Sequence, residues 1–197
     1  MSLNYISKLR MLQFMKTCLF TLLLGVAICS CAQTTHQDAE SVKGKTYTSD
    51  EVGWTIQIPE GWDIVPNEMI DKGDKGEVKQ LITFRNNGGL FGATLMPFKE
   101  GHPDSYTDYL NQIHANMYQR FISRGVVVDT MVRKISLHGH EYDVFSSTIH
   151  APDGAYIIDQ LMYSCLVDGY EFSVNLNFNN DSDKATMLRV WENSKFQ

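Results

Sequence analysis

The sequence has few cysteines, and most of them lie near its beginning. Cys18, Cys29 and Cys31 precede residue 32, and Cys165 stands alone in the remainder of the chain. Once the first 30 residues are removed and Cys31 is modified, as argued below, no intramolecular disulfide can form. Cys165 lies inside the apolar run 161–167 and lacks the exposed, electropositive surroundings that activate a thiolate. We therefore expect it to be a buried packing residue.

Clusters of positive charge are also lacking. The chain has 17 Lys and Arg against 23 Asp and Glu. Its first 30 residues carry Lys8, Arg10 and Lys16 but no acid, so the remainder holds 14 cations against the same 23 acids. In that remainder only Arg133 and Lys134 are adjacent, whereas nucleic-acid binding needs clustered cations. This pattern predicts that the protein has no nucleic-acid partner. It also predicts that membrane attachment depends on a lipid, because an acidic surface repels anionic headgroups.

Motifs of nucleophilic catalysis are missing as well. Ser146, Ser147, Thr148 and Ser164 lack the flanking glycines of a nucleophile elbow. The acids of the loop 71–77 alternate with lysines, where solvent keeps carboxylates ionised and ordinary. The sequence therefore favours a protein that is not an enzyme, and a metal-dependent hydrolase remains a less favoured alternative.

The N-terminal segment has the layout of a secretory signal. Lys16 precedes the uncharged run 18–28, and the small residue Ser30 precedes Cys31. The run is shorter than the roughly 20 apolar residues of a membrane-spanning helix. The tetrad Ile28-Cys29-Ser30-Cys31 resembles the lipobox of bacterial lipoproteins. That resemblance implies a signal peptide over residues 1–30 and lipidation of Cys31, which becomes the new N-terminus. The alternatives are an ordinary signal peptide cut elsewhere or a buried helix.

Residues 31–46 are predicted to form the lipidated cysteine and a flexible tether. The segment is polar and has no apolar period, and a coil of this length spans on the order of 20 Å. An Asp directly after the lipidated cysteine would resemble an inner-membrane retention signal, and an acidic cluster there would resemble a surface-export signal. Ala32 and Gln33 stand at these positions, so both signals are missing. We therefore expect a lipid-anchored protein in the outer membrane, facing the periplasm. Either Met1 or Met15 could be the true start.

The first part of the folded domain is predicted to be β-structure. Residues 54–58 alternate apolar and polar side chains, and Pro59 to Gly61 form a turn before a second strand over 62–65. Residues 80–84 and 90–98 are predicted to form a hairpin. Four longer strands are expected after the first helix, joined by short turns into an antiparallel meander: Val126–Leu137, Glu141–Ile149, Ala155–Val167 and Tyr170–Asn179.

Two helices are predicted. The first begins at a capping box of Ser105 and Asp108 and ends at Gly125. Its buried face is expected to carry the apolar residues at helical spacing, Tyr106, Tyr109, Leu110, Ile113, Met117 and Phe121. The second helix is predicted to have Ser182 or Asp183 as its N-cap. Along one side it is expected to carry Lys184, Met187, Leu188, Trp191 and Lys195.

This pattern indicates a single α+β domain over residues 47–197, with an antiparallel sheet flanked by helices. The turn Pro59-Glu60-Gly61-Trp62, the following hairpin, helix and meander, and the terminal Asn193-Ser194-Lys195-Phe196 resemble the PsbP-like fold. The resemblance implies an α/β/α sandwich and a binding or assembly-accessory module. It brings no shared catalytic residues and no cofactor.

Two groups of side chains could hold a metal. On a strand, His138 and His140 would point to one face, but Gly139 favours an exposed turn, and a third ligand would have to come from elsewhere. The candidates for it are His150, His114, Asp143 and Asp153. Asn177, Asn179, Asp181 and Asp183 alternate oxygen ligands, yet the spacing lacks the glycine and glutamate of a calcium loop. A turn with a helix cap is the favoured interpretation.

The strand Tyr170–Asn179 provides the candidate ligand surface. Its apolar residues alternate with Glu171, Ser173, Asn175, Asn177 and Asn179, which gives a polar face without lysine or arginine. Burying its amides without partners would cost about 1–3 kcal/mol each, so we expect the face to be open. A solvated strand is the plain interpretation. The functional one is that Asn175 and Asn177 recognise an envelope protein partner. The many tyrosines leave open a carrier of a small hydrophobic or glycan ligand.

Overall fold

The computed structural model describes residues 45–66, 78–98 and 106–197. The signal peptide, Cys31, most of the tether, the loop 71–77 and Ser105 lie outside these residues. Within them the chain forms strands and helices in the following order: β1 Thr46–Ser49, β2 Trp54–Gln57, β3 Asp63–Ile64, β4 Lys79–Arg85, β5 Gly89–Pro97, α1 Tyr106–Ser123, β6 Val127–Leu137, β7 His140–His150, β8 Tyr156–Val167, β9 Tyr170–Phe178, α2 Asp181–Glu192 and β10 Lys195–Phe196.

A seven-stranded antiparallel sheet forms the centre of the domain, in the order β3-β4-β5-β9-β8-β7-β6. The predicted hairpin is confirmed as β4 and β5. The predicted meander is confirmed as β6 to β9, and two of its three turns hold His138 and Asp168 at positive φ, each followed by a glycine. Strand β9 lies between β5 and β8, which makes it the middle strand of the sheet.

A second, three-stranded sheet was only partly predicted. Strand β2 pairs with β1 on one side and with β10 on the other. Thr46 therefore belongs to a strand and not to the tether, and Lys195 belongs to β10 and not to the last helix. These strands have four and two residues, too short to show a period in the sequence.

One face of the large sheet packs against α2 and the small sheet through an aromatic core. Trp54 and Trp191 are fully buried, and their rings lie 6.3 Å apart. Phe172 of β9 contacts both rings. The indole N–H of Trp54 donates to the hydroxyl of Ser194 at 3.0 Å. Burial of side chains of this size contributes about 1.5–3 kcal/mol each, so this core holds the last helix and the small sheet onto the large one.

The opposite face is covered at one end by α1. Its fully covered residues are Leu110 and His114, and the His114 ring stacks on Phe145 at 4.7 Å. The predicted helix is confirmed, but its predicted buried face is partly wrong, because Ile113, Met117 and Phe121 remain half-exposed. The histidine at the buried position was not predicted, since periodicity counts apolar residues only.

Helix α2 begins two or three residues earlier than predicted. Asn180 is its N-cap, and its side-chain oxygen accepts from the Asp183 backbone N–H at 2.9 Å. The predicted caps Ser182 and Asp183 are wrong, because both lie inside the first turn. The carboxylate of Asp183 accepts hydrogen bonds from the side-chain amides of Asn86 and Asn180. These bonds join Asn86 and the N-cap residue to the first turn of the helix.

The predicted α+β class is confirmed. The flanking by helices is confirmed only loosely, because the sheet dominates and each face carries one helix among the described residues. In the described ranges no helix has both the length and the apolar character needed to cross a membrane.

Candidate ligand surface

The two predicted recognition residues lie on the middle strand of the large sheet. Asn175 and Asn177 are half-exposed on β9. Alternation along the strand puts them on the α1 side of the sheet, with Glu171 and Ser173. The side chain of Asn175 makes no hydrogen bond within the described residues. Its amide therefore has both a donor and an acceptor for a ligand.

A row of hydrogen bonds across three strands orients Asn177. Gln160 lies opposite Asn177 on β8, and its amide N–H donates to the Asn177 side-chain oxygen at 2.6 Å. The hydroxyl of Ser147 on β7 in turn donates to the Gln160 side-chain oxygen at 3.4 Å. Because its oxygen accepts this bond, Asn177 offers a ligand mainly the donors of its NH₂ group. We call Gln160, Asn175 and Asn177 the amide surface.

Gly92 leaves space beside the amide surface. It lies opposite Asn175 on the neighbouring strand β5. A Cβ added there would meet Gln80 and Thr83 side-chain atoms at 3.7 Å, which is ordinary van der Waals contact. A ligand group can therefore approach the backbone beside Asn175, and a small side chain at this position would fill that space without a clash.

The other end of the same face is not open, and this part of the prediction is wrong. Glu171 and Ser173 are only 6% and 7% exposed. Tyr109 of α1 donates its hydroxyl to one Glu171 carboxylate oxygen at 2.5 Å, and Ser173 donates to the other at 3.1 Å. Ser164 forms a hydrogen bond with Ser173 at 3.0 Å. Burial is possible because helix and sheet supply these partners, which the strand's own sequence does not show.

Burial changes the ionisation of this covered end. It raises the pKa of Glu171 above 4.5, and the hydrogen bonds from Tyr109 and Ser173 oppose that rise. Burial and the neighbouring carboxylate also raise the pKa of Tyr109. A carboxyl group with a raised pKa can act as a general acid. Glu171 is instead enclosed between α1 and β9, where it fastens the helix to the sheet.

His114 is the second buried ionisable group under α1. Both of its ring nitrogens are enclosed and have no hydrogen-bond partner among the described residues. Burial lowers the pKa of His114, against an opposing effect of Asp143. Its contact with Phe145 is face to face, at 13° between the rings. His114 therefore acts as a neutral packing ring under the helix.

The predicted turn at His138 and His140 is confirmed, but the prediction that both side chains are exposed is wrong, because both are half-buried. The His138 ring lies 4.9 Å from the Trp191 ring and contacts the Glu192 carbonyl oxygen at 3.2 Å. Burial lowers the pKa of His138. The His140 ring lies 4.9 Å from Phe196. Both rings extend the aromatic core, because the turn folds back over the end of α2.

The other predicted metal ligands are dispersed. His150 lies 3.9 Å from Asp129 at the far end of β7, and His114 is covered by α1. Within the described ranges no three histidine, cysteine or acidic side chains are grouped so that they could hold a metal ion. Around the predicted calcium pattern, Asn179, Asn180 and Asp183 form hydrogen bonds with one another. This confirms the turn and helix cap.

A shallow groove lies on the outer side of the small sheet. Its volume is about 480 Å³. Polar side chains and one valine line it: Thr46, Thr55, Gln57, Arg189, Val190, Asn193 and Lys195. The hydroxyl, amide and cationic groups among them can form hydrogen bonds with a polar ligand.

Cys165 and the tyrosines take mainly structural positions. Cys165 is 1% exposed, as predicted, and burial raises its pKa to about 12. Tyr106 and Tyr109 pack with Phe98 at the start of α1, with ring centres 5.4 and 5.6 Å from that of Phe98. Tyr163 contacts Trp191 in the core. These tyrosines fill the helix–sheet interface instead of lining an open groove.

Gln160 is the one member of the amide surface that the sequence analysis missed. It lies in the first part of the predicted strand Ala155–Val167, which is only partly buried, whereas most of the last part of β8 is buried. The two-residue turn Asp168-Gly169 would have identified it. Pairing outward from Val167 and Tyr170 brings Gln160 opposite Asn177.

Solved structures show which fold this is. The chain is similar to the solution structure of cyanobacterial PsbP (CyanoP) from Synechocystis sp. PCC 6803, with a TM-score of 0.59 and 12% sequence identity. The match covers 83% of this chain and 98% of that chain. The fold is PsbP-like. This agrees with the resemblance in turn, hairpin, helix and meander noted in the sequence.

The PsbP-like fold is the extent of what these likenesses show. A crystal structure from Bacteroides thetaiotaomicron VPI-5482 at 1.50 Å resolution is also similar, with a TM-score of 0.48 and 10% identity. That match covers 78% of this chain and 48% of the other, so the chain spans about half the length of that protein. No protein-family model and no curated protein matches the chain. A shared fold does not define a function.

Proposed function

We propose that the chain is a lipid-anchored lipoprotein of the bacterial envelope whose PsbP-like domain is a non-catalytic binding or assembly-accessory module. The observation that carries the binding role is the amide surface. It presents uncharged donors and acceptors on the middle strand of the sheet, and the row from Ser147 through Gln160 orients Asn177. A surface fixed in this way suits recognition of a hydrogen-bonding protein partner in the envelope.

The anchor is part of the same proposal. The sequence up to Cys31 supports export and lipidation, and the outer membrane facing the periplasm is the proposed location. We take the fold of the domain to be an α/β/α sandwich. In it the amide surface lies on the α1 face of the sheet, beside the helix. Metabolic labelling with a palmitate analogue should mark the wild-type chain. Label that persists in Cys31→Ala would contradict the proposed anchor.

The binding role is tested by replacing the outward amides. Asn175→Ala with Asn177→Ala should leave the melting temperature near that of the wild type, because both side chains are half-exposed. Crosslinking followed by pull-down from the envelope should then lose the partner that the wild type captures. A matched control is Thr107→Ala, an exposed position of α1 away from this surface. A folded double variant that keeps the partner would place the binding site elsewhere.

A carrier of a glycan ligand is the second candidate. The polar groove beside Arg189 and Lys195 favours it over a carrier of a hydrophobic ligand. Extraction of the purified protein followed by mass spectrometry would detect either ligand. Metal analysis of protein purified without chelator tests the remaining alternative, a metal-dependent hydrolase.

A further inference from the structure

Strand β6 forms a long edge of the large sheet. It runs over the 11 residues Val127–Leu137, and among the described parts of the chain it pairs with β7 alone. The opposite edge of this sheet is β3, which has two residues. An edge strand offers a row of backbone donors and acceptors to another strand. Its length therefore makes β6 the edge that can accept a further strand.

Exposed apolar side chains accompany this edge. Val127, Met131 and Val132 are 50%, 57% and 50% exposed. Protein edges are usually protected by charged side chains, by proline, by a bulge or by a short strand, and of these devices β6 has the charged side chains Asp129, Arg133 and Lys134. β6 contains no proline, and its register with β7 is continuous from end to end. Burial of these side chains would favour association.

The charges along β6 identify the partner strand. Asp129 and Arg133 are separated by four residues, so they lie on the same face of the strand. When two copies of β6 pair antiparallel about a two-fold axis at Met131, Asp129 of each copy lies opposite Arg133 of the other. Met131 then faces itself, and Val127 faces Ile135. Opposite charges and apolar groups directly across a strand pair both stabilise it.

Neighbouring registers match less well. Shifting the axis to Thr130 or Val132 pairs Asp129 with an apolar residue instead of Arg133. Shifting it to Arg133 brings the two arginines opposite each other. Lys134 lies on the other face of the strand, so it cannot replace Arg133 in a direct pair.

Both charged residues are exposed at the edge of the sheet, although Arg133 also interacts with the hydroxyl of Tyr163. The Asp129 side chain is 84% exposed, and its one ion-pair partner within the described residues is His150 at 3.9 Å. Arg133 is exposed as well. From this register we propose that the partner of β6 is a second copy of the same chain, which joins the two seven-stranded sheets into one continuous sheet across a two-fold axis.

Disulfide trapping tests the register. The Cα atoms of directly opposite residues lie about 4.5–5.5 Å apart, within the range that a disulfide spans. Met131→Cys should therefore give a covalent dimer on mild oxidation of the full chain in its membrane. Val132→Cys is the matched control, because in this register it faces Thr130 and not itself. Equal crosslinking of both variants, or of neither, would overturn the proposed register.

Charge exchange tests the partner. Asp129→Arg and Arg133→Asp should each weaken dimerisation on the order of tenfold, since each creates two like-charge pairs. A mixture of the two variants should restore the dimer, because every opposed pair is then again of opposite charge. The double variant should restore it too. The readout is the mass of the detergent-solubilised full chain by analytical ultracentrifugation.

The outcomes distinguish this dimer from other occupants of β6. The proposal would be contradicted if the wild-type chain were monomeric. It would also be contradicted if Asp129→Arg and Arg133→Asp each kept the dimer. A monomer that captures a different protein through β6 would show heterologous strand addition instead. The proposal does not depend on the amide surface, since Asn175→Ala with Asn177→Ala should leave the dimer intact.

Discussion

The hydrogen bond between Tyr109 and Glu171 is predicted to fasten α1 to the sheet. Tyr109→Phe removes the hydroxyl that donates to the carboxylate at 2.5 Å. The ring contacts with Phe98 and Tyr106 remain, because phenylalanine has the same ring. The variant therefore changes one hydrogen bond and little of the packing.

The magnitude follows from the burial of the carboxylate. Glu171 is 6% exposed, so solvent cannot replace the lost donor, and a hydrogen bond to a charged group contributes about 1.5–3 kcal/mol. Ser173 still donates to the other oxygen at 3.1 Å, which keeps the loss within that range. For a domain of this size we expect the melting temperature to fall by about 3–12 °C.

Urea unfolding followed by circular dichroism measures this loss. The control is Tyr109→Phe in a Glu171→Gln background, where the lost bond is neutral and should cost about 0.5–1.5 kcal/mol. The difference between the two backgrounds is the contribution of the charge. A loss below about 0.5 kcal/mol, or an equal loss in both backgrounds, would show that this hydrogen bond does not fasten α1 to the sheet.

Three further predictions concern the buried groups. Because burial raises the pKa of Glu171 above 4.5, the folded state holds its proton longer, and Glu171→Gln should gain stability over the wild type as pH rises from about 4.5 to neutral. Urea midpoints across that range measure this difference, and a constant difference would contradict it. Because burial lowers the pKa of His114 below 6.5, the unfolded state binds a proton first, so His114→Leu should lose less stability than the wild type as pH falls below 6.5. A parallel loss in both proteins would show that His114 does not titrate on unfolding. Cys165, 1% exposed and with a pKa raised to about 12, should react with a maleimide only after unfolding, and rapid labelling of the native protein would contradict its burial.

Much of the sheet could be predicted from local signals. The Asp168-Gly169 turn fixes the pairing of β8 with β9, because a two-residue hairpin leaves one register. The same holds for the turn between β6 and β7. The pairing of β5 with β9 is different, since it joins strands that are distant in sequence and has no local signal.

The burial of the covered end could not be predicted. Glu171 and Asn175 lie in the same alternating pattern on one strand, and sequence periodicity treats them alike. What separates them is the position of α1, which covers Glu171 and supplies the hydroxyl of Tyr109. The same helix places His114 where an apolar residue was expected. Tertiary packing therefore decided which polar residues remain available to a ligand.

The proposed envelope partner of the amide surface can be captured where it binds. A photo-crosslinking amino acid at Asn177, introduced into the chain in its native host, tests this binding. Irradiation should yield one discrete crosslinked protein from this position and none from Tyr118, an exposed position on α1. Crosslinks from Tyr118 alone, or the same product from both positions, would contradict the account.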